Sequence, residues 1–318
     1  MIGKREFGVG GLIVLLLIVA GIVNPAFLAP TNLRDILVQA APALIVACGM
    51  TFVIVTGEID ISVGSLMGLL AATLGVLTST DRLHLPVAVG IVAILLLGGF
   101  VGWVNGFLVT VGRIPSIIVT LGMLTILQGT TDIVMGGEWV KNLPDSLRFF
   151  GTGALVGVPI SLLVAAAVFA ACVFVARDTP FGRRLYAAGD NPAAARLIGL
   201  PVDRLRWSAF VLIGVLTALA TLVSAPQLSV IESGFGKGFE LLVVTAVVVG
   251  GTSIRGGRGT LLGTLLAVVL LAMIRTLLIF LHLGEAATYW ERAIQGAFIL
   301  AAVLADQYGH RARTVGPA

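Results

Sequence analysis

A polar stretch over residues 177–206 interrupts a chain that is otherwise almost continuous hydrocarbon. Its six arginines and three aspartates are too costly to bury in lipid. The same stretch carries the signals of a short helix, because Asp190 or Asn191 can cap free N–H groups and Pro192 suits a first turn. Gly199 then ends the helix. A capped helix of about two turns, held in water between apolar segments, is suited to docking on a soluble protein.

Motifs for covalent, nucleotide or metal chemistry are missing from the sequence. There is no G-x-x-x-x-G-K-[ST], no H-E-x-x-H and no G-x-S-x-G, and G-F-G-K-G at 234–238 lacks the Ser or Thr that holds magnesium. The two cysteines, Cys48 and Cys172, both lie in apolar runs, so neither a disulfide framework nor a metal site follows. We predict that the chain is not an enzyme and binds no metal or cofactor itself.

Uncharged polar side chains lie inside several apolar runs. Such groups are costly in hydrocarbon and usually face the interior of a helical bundle or a water-filled path. Asn105 and Gln128 both donate and accept hydrogen bonds, which suits a neutral polyhydroxyl solute. With Thr120 they are our candidates for a substrate path. The alternative for each is a hydrogen bond between helices.

Charged side chains also lie in or beside the apolar runs. Arg275 has no carboxylate within one helical turn, so its partner must come from another segment or from solvent. Glu58 and Asp60 lie just before Ser62, and we predict that Asp60 caps the next helix. A proton relay is the weaker alternative, because it needs ionisable groups inside several runs and the sequence does not supply them.

The composition identifies the chain as an integral membrane protein. Of 318 residues, 58% are hydrophobic and 11% are charged, and the mean hydropathy is +1.08, whereas soluble domains carry about 25% charged residues. The apolar runs are long and unbroken, which indicates helices and excludes the alternating strands of a membrane barrel. Ten runs are predicted to span the membrane: 9–23, 36–56, 62–78, 86–111, 114–135, 155–176, 207–224, 241–250, 260–281 and 289–305.

Loop charges orient these ten runs. With the N-terminus in the cytoplasm, thirteen of the 20 Lys and Arg residues fall in inner segments and six in outer ones. Because this excess belongs on the cytoplasmic side, we predict ten spans with both termini cytoplasmic. The run at 241–250 is shorter than the ~20 residues needed to cross. It is therefore tilted, extended back to Gly238, or part of a broken helix.

Two features of the apolar runs concern packing. The pattern G-S-L-M-G-L-L at 64–70 faces G-T-L-L-G-T-L at 259–265, which is either an internal repeat of the kind common in transporters or chance similarity between Gly- and Leu-rich helices. Glycines also recur at four-residue spacing, and we predict close helix packing or a dimer seam there rather than a pore. These glycines are Gly64, Gly68, Gly98, Gly102 and Gly106.

Five separated motifs carry a family resemblance. They are TGEIDISVGS at 56–65, NGFLV at 105–109, IPSIIVTLG at 114–122, FGRRLYAAGDNPAAARLIG at 181–199 and VVGGTSIRGGRGTLLG at 248–263. Together they resemble the permease subunits of bacterial ATP-binding-cassette (ABC) importers for monosaccharides, including ribose, xylose, arabinose, rhamnose and autoinducer-2 systems. The resemblance implies an all-α polytopic permease fold of about ten helices, one domain over residues 1–318.

The resemblance also assigns a role to the central polar stretch. In this family a cytoplasmic coupling helix marked E-A-A-x-x-x-G docks on the ATPase subunit. Here the loop 177–206 contains that frame at 193–199, with Ala193 where glutamate is usual, so no salt bridge is implied at that position. The implied coupling interface comprises Arg183, Arg184, Gly189, Asp190, Asn191, Ala194, Ala195, Arg196 and Gly199.

The resemblance implies the following partners and substrate. The partners are an ATPase subunit that holds ATP and magnesium, a second permease copy or paralogue, and a periplasmic or lipid-anchored sugar-binding protein, with no nucleic acid. The implied location is the bacterial inner membrane, and the solute is a monosaccharide or similar small polyhydroxyl compound. The tract 136–144 is most similar to the autoinducer-2 and rhamnose members. The rival hypothesis is an ion- or proton-coupled secondary transporter that works without an ATPase.

Overall fold

The computed structural model describes residues 4–281, 283 and 286–314, and most of this part of the chain is helical. Its elements in chain order are α1 (Lys4–Val23), α2 (Pro30–Val55), α3 (Val63–Thr78), α4 (Val87–Thr110), α5 (Ser116–Met135), α6 (Asp145–Thr152), β1 (Ala154–Leu155), β2 (Val158–Pro159), α7 (Ile160–Asp178), α8 (Pro180–Asp190), α9 (Pro192–Leu197), α10 (Val202–Ser224), α11 (Phe239–Val249), α12 (Leu261–Phe280) and α13 (Ala286–Thr314).

Each of the ten predicted spans contains a helix of the structure. Among the described residues, seven helices are long and apolar enough to cross a membrane, namely α1, α2, α4, α5, α7, α10 and α12. The apolar helices α3 and α11 have 16 and 11 residues, about 24 and 16 Å at 1.5 Å per residue, which is less than the thickness of a bilayer core. The count of ten spans and the cytoplasmic termini stay predictions.

Helix α2 forms the centre of the largest core. Seventeen of its 26 residues are buried, and they pack against α7, α10, α11 and α12. A helix that is apolar on all sides is stable only when other apolar elements surround it. The peripheral helices α1 and α7 instead bury only 17% of the residues in their apolar stretches. This layering matches a membrane protein in which outer helices face lipid.

The connecting segments gather at two ends of the helical bundle. One end, called the coupling end, comprises residues 56–62, 112–115, 178–201 and 250–260. There the Gly257 N–H donates to the Val55 carbonyl at 2.8 Å, and the Ile59 N–H donates to Ser116 Oγ at 3.2 Å.

The opposite end comprises residues 79–86, 136–159 and 225–231. There Ser79 Oγ donates to the Lys141 carbonyl at 2.6 Å, and Val140 pairs with Ile231 in an antiparallel bridge. The grouping of segments at both ends agrees with the alternation that the loop charges predict.

The two segments of the predicted repeat end their first helix in the same way. At the end of α2 the Glu58 N–H donates to the Val53 carbonyl at 3.2 Å, with Gly57 at φ +85° between them. At the end of α11 the Thr252 N–H donates to the Val247 carbonyl at 3.1 Å. A left-handed glycine, Gly251, again precedes the donor. Many unrelated helices end in this way, so the internal repeat stays a prediction.

The sixth predicted span starts later than expected. We predict it from residue 155, but residues 154–159 form the antiparallel pair β1–β2, and α7 begins at Ile160. Val156 and Gly157, between the two strands, both have positive φ, the conformation that closes a two-residue hairpin. This small hairpin is a departure from the predicted all-α structure.

Candidate coupling site

Helix α9 is the short helix predicted in the polar stretch. Asn191 Oδ1 accepts a hydrogen bond from the Ala194 N–H at 3.0 Å, and Pro192 is the first helical residue. Gly199, at φ +82°, lies just beyond the end. Asn191 is therefore the cap, whereas Asp190 is the last residue of α8. The helix has six residues, which is shorter than the two turns predicted.

Sequence reasoning missed helix α8, although its start signal is present. Thr179 Oγ1 accepts a hydrogen bond from the Gly182 N–H at 3.2 Å, and Pro180 occupies the first helical position. This pattern is the one that identifies α9. Helix α8 buries its Leu185, Ala188 and Gly189 face and exposes Arg183 and Arg184, so it lies on the coupling end as an amphipathic platform.

Three segments meet at the carbonyl group of Val55, the last residue of α2. The Gly257 N–H donates to this oxygen at 2.8 Å. A Cβ atom placed on Gly189 would lie 2.8 Å from Gly257 N and 2.9 Å from the Val55 carbonyl carbon. No side chain fits between these groups. The glycine-rich segment 250–259 is thus a tight turn, with Gly256 and Gly257 at positive φ, that holds α8 against α2.

Two further contacts hold α8 and the start of α10 against the segments that follow α2 and α11. Arg206 in α10 forms an ion pair with Glu58 at 3.1 Å, with 23% and 12% of the two side chains exposed. The Tyr186 hydroxyl in α8 donates to the Gly259 carbonyl at 3.1 Å. Burial raises the pKa of the Tyr186 phenol, so this donor stays neutral. The pair α8–α9 is therefore fixed to α2, α10 and the turn at 250–260.

The Glu58–Arg206 pair is expected to stabilise the coupling end. Replacing either residue by glutamine leaves a half-buried charge unpaired, so a double-mutant cycle should give a coupling energy of about 1–2 kcal/mol. The free energy of unfolding in detergent is the measurement. The matched control is the more exposed pair Arg82–Glu138 at the opposite end, for which about 0.5 kcal/mol is expected. Equal coupling energies for the two pairs would contradict this expectation.

The surface of α9 that faces away from the bundle is apolar. Leu197 and Ile198 are 89% and 76% exposed, and Ala194 is exposed beside them. Ala195 is buried against the bundle, and Arg196 forms a half-exposed ion pair with Asp203 at 2.9 Å. We call Ala194, Leu197 and Ile198 the α9 tip. Large and highly exposed apolar side chains, on a helix held by packed neighbouring elements, are typical of a surface that a protein partner covers.

Comparison with known proteins identifies the family. Residues 32–303 match the family described as branched-chain amino acid transport system, permease component. The chain belongs to this permease family. The permease is 34% identical to the ribose import permease protein of Haemophilus influenzae, over 93% of this chain and 91% of the relative. It is 38% identical to the autoinducer 2 import system permease protein of Klebsiella pneumoniae, over 96% and 87%. No solved structure matches.

Two of the three predicted path residues of the permease, Asn105 and Thr120, lie near the coupling end and have polar partners. Asn105 Nδ2 donates to Ser62 Oγ at 3.0 Å and to Asp60 Oδ2 at 3.4 Å, while Asn105 Oδ1 is buried with no partner among the described residues. Thr120 is buried and donates to the Ser116 carbonyl at 2.8 Å. The half-buried Gln128 lies two turns further along α5. Their role in a path stays a prediction.

The predicted cap at Asp60 takes a different form. Its Oδ1 accepts hydrogen bonds from the N–H and the hydroxyl of Ser62 at 2.8 and 2.6 Å, so it closes a turn before α3 rather than capping the helix. Burial raises the pKa of the Asp60 carboxyl, and the hydrogen bonds from Ser62 and Asn105 oppose that rise. Arg275 takes its partner from another segment, as expected, since Glu291 of α13 lies 3.7 Å away.

The predicted packing glycines fall into two groups. Gly98, Gly102 and Gly106 face α10, and a Cβ on Gly98 would lie 2.5 Å from the Gly214 carbonyl oxygen. Gly64 and Gly68 instead face the segment that leads into α11, and the atom nearest to a Cβ on Gly64 belongs to the Glu240 carboxylate in the first turn of α11. A Cβ on them would lie 2.6 and 2.7 Å from the carbonyl oxygens of residues 236 and 235, in the irregular segment before α11. The irregular segment before α11 therefore lies along the first turns of α3.

Proposed function

We propose that the permease is the membrane-spanning subunit of an ABC importer for a monosaccharide or a similar small polyhydroxyl solute. A separate ATPase subunit, which binds ATP and magnesium, docks on the coupling end. A second permease copy or paralogue completes the passage. The observation that carries this proposal is the exposed α9 tip on a mount fixed to the central helix α2. A push on α9 passes through α8 to the end of the helix around which the core packs.

Ribose and autoinducer-2 are the solutes to test first, because the relatives named above import them. The rhamnose part of the sequence-based prediction stays a prediction. At the opposite end a polar cavity of about 520 Å³ is lined by Asp81, Arg82, Glu138, Trp139 and Lys141, among others, a size typical of small-ligand and side-chain pockets. We propose that a sugar-binding protein docks at this end. The opposite end then faces the periplasm and the coupling end the cytoplasm.

Serine at both Leu197 and Ile198 is expected to weaken ATPase binding by more than tenfold. Full burial of each side chain contributes about 1.5–3 kcal/mol, and both are exposed in the permease alone. The free energy of unfolding should therefore change little. The measurement is co-purification and titration of the ATPase subunit in detergent.

The control variant for this experiment is Val156→Asn. Val156 is 96% exposed at the opposite end and has positive φ, which asparagine tolerates. This variant should bind the ATPase like the wild type. Normal ATPase binding by the double serine variant would contradict the docking assignment. Solute uptake that follows an ion gradient without ATP would instead favour the secondary transporter.

A further inference from the structure

An amphipathic cavity of about 620 Å³ lies beside α8 at the coupling end, within the size range of small-ligand sites. The cavity is formed where α1 begins, α7 ends and α12 begins, and α8 forms another wall. All three of these helices are long and apolar enough to span a membrane. The cavity therefore lies where spanning helices meet the aqueous end of the bundle.

The cationic part of the lining lacks internal partners. Arg177 lies in the last turn of α7 and Arg183 lies on α8, and neither has an ion-pair partner among the described residues. Glu6 is the acidic group in the lining, and its carboxylate accepts a hydrogen bond from the Thr260 hydroxyl. Two guanidinium groups against one carboxylate leave the lining cationic, which favours an anionic ligand.

The rest of the lining is apolar. Val173 and Ala176 of α7 face the cavity from one side, and Leu261 and Leu262 of α12 face it from another. A soluble phosphate or nucleotide would bind the arginines through its phosphate groups and would leave this apolar surface uncovered. A phospholipid matches both parts, because its phosphate can bind the arginines while an acyl chain covers the apolar wall.

We propose that this cavity binds one anionic phospholipid of the inner leaflet. The inference rests on the proposed function only for placing the coupling end at that leaflet. The bound lipid joins α7 to α8 through its phosphate group. In this proposal Arg183 binds the lipid phosphate, whereas the sequence predicts that Arg183 belongs to the ATPase interface. Anionic lipid would then stabilise α8, on which the coupling helix α9 depends.

The test is native mass spectrometry of the purified full-length permease, without ATPase. Phosphatidylglycerol is titrated against phosphatidylcholine with the same acyl chains. We expect preferential binding of phosphatidylglycerol, with affinity falling about fivefold for each of Arg177→Gln and Arg183→Gln, because one cation near an anionic headgroup contributes roughly that factor. The matched control is Arg204→Gln, which removes an exposed arginine near the coupling end that does not line the cavity. It should bind like the wild type.

Three outcomes would overturn the proposal. They are wild-type affinity in the double glutamine variant, an equal loss in Arg204→Gln, and displacement of phosphatidylglycerol by millimolar inorganic phosphate, which would indicate a soluble anion. If the double variant does not fold, a photoreactive phosphatidylglycerol on the wild type decides, since labelling must fall beside Glu6 or within residues 173–186 or 259–262. None of these measurements uses an ATPase, so lipid binding and coupling can fail separately.

Discussion

Replacing Gly189 by alanine should leave the permease inserted in the membrane but abolish its stimulation of the partner ATPase. The added methyl group would lie 2.8 Å from Gly257 N and 2.9 Å from the Val55 carbonyl carbon. The Val55 carbonyl oxygen would lie closer still. Non-bonded carbon atoms rest about 3.5–4.0 Å apart, so α8 must move by at least about 1 Å from the end of α2. All three neighbours are backbone atoms and cannot rotate away.

We expect this displacement to interrupt the transmission of movement from α9 to α2, while the ATPase subunit still docks on α9. The exposed α9 tip is untouched, so the ATPase should still bind, while the contact between α8 and α2 is lost. Overpacking of this kind lowers the free energy of unfolding by about 1–3 kcal/mol. The two measurements are ATP hydrolysis by the reconstituted complex and thermal unfolding of the permease alone.

Gly129→Ala in α5 is the matched control for Gly189→Ala. Gly129 has no heavy atom within 4 Å of the added carbon, so alanine there should be neutral or stabilise the helix by up to about 1 kcal/mol. Stimulated hydrolysis should stay at the wild-type level. If Gly189→Ala also keeps full stimulation, the junction at Val55 does not transmit movement. If it loses ATPase binding as well, α8 itself belongs to the dock.

Replacing Gly102 by alanine should destabilise the permease by about 3 kcal/mol, the upper end of the range for overpacking. A Cβ there would lie 2.9 Å from the Phe210 carbonyl carbon and 3.0 Å from Val211 Cα. The backbones of α4 and α10 touch at this point, as is usual for small residues between membrane helices. The helices must separate along their length, because neither contact is a side chain that can turn away.

Gly99→Ala on the same helix separates backbone contact from helix propensity. Its nearest neighbour is the Val215 side chain, at 3.4 Å from the added carbon, which is an ordinary contact. The midpoint of thermal unfolding in detergent should fall for Gly102→Ala and stay near the wild type for Gly99→Ala. Equal midpoints would mean that α4 and α10 do not pack as closely as described here.

The difference between α9 and α8 shows how local signals act in this chain. The cap at Asn191, the proline after it and the glycine beyond are contacts within a few residues, so the sequence alone predicts α9. Helix α8 carries the same signals at Thr179 and Pro180. Sequence reasoning missed these signals because the arginines of the stretch suggest a solvated loop. A half-buried helix can expose arginines on its outer face just as a loop does.

The contacts that fix the coupling end have no local signal. Glu58 and Arg206 are 148 residues apart, and no spacing rule pairs them. Gly189 looks like an ordinary helix-end glycine and Gly257 like an ordinary turn glycine until α8, α2 and the turn at 250–260 meet at Val55. Gly64 and Gly68 follow the four-residue spacing of helix packing, yet they accommodate the segment before α11. The spacing of the glycines predicts that another part of the chain approaches closely. Only the tertiary structure identifies which part that is.

By itself the sequence determined that the protein is a helical membrane protein, because long apolar runs cannot be stable in water. The resemblance to permeases rested on the five separated motifs. It also determined the short helix α9, whose cap is a local hydrogen bond. Only the tertiary structure showed that α8, α2 and the turn at 250–260 pack together as one unit that supports α9. It also placed Arg183 in an amphipathic cavity. These contacts join residues far apart in the chain, so their geometry exists only once the helices have packed.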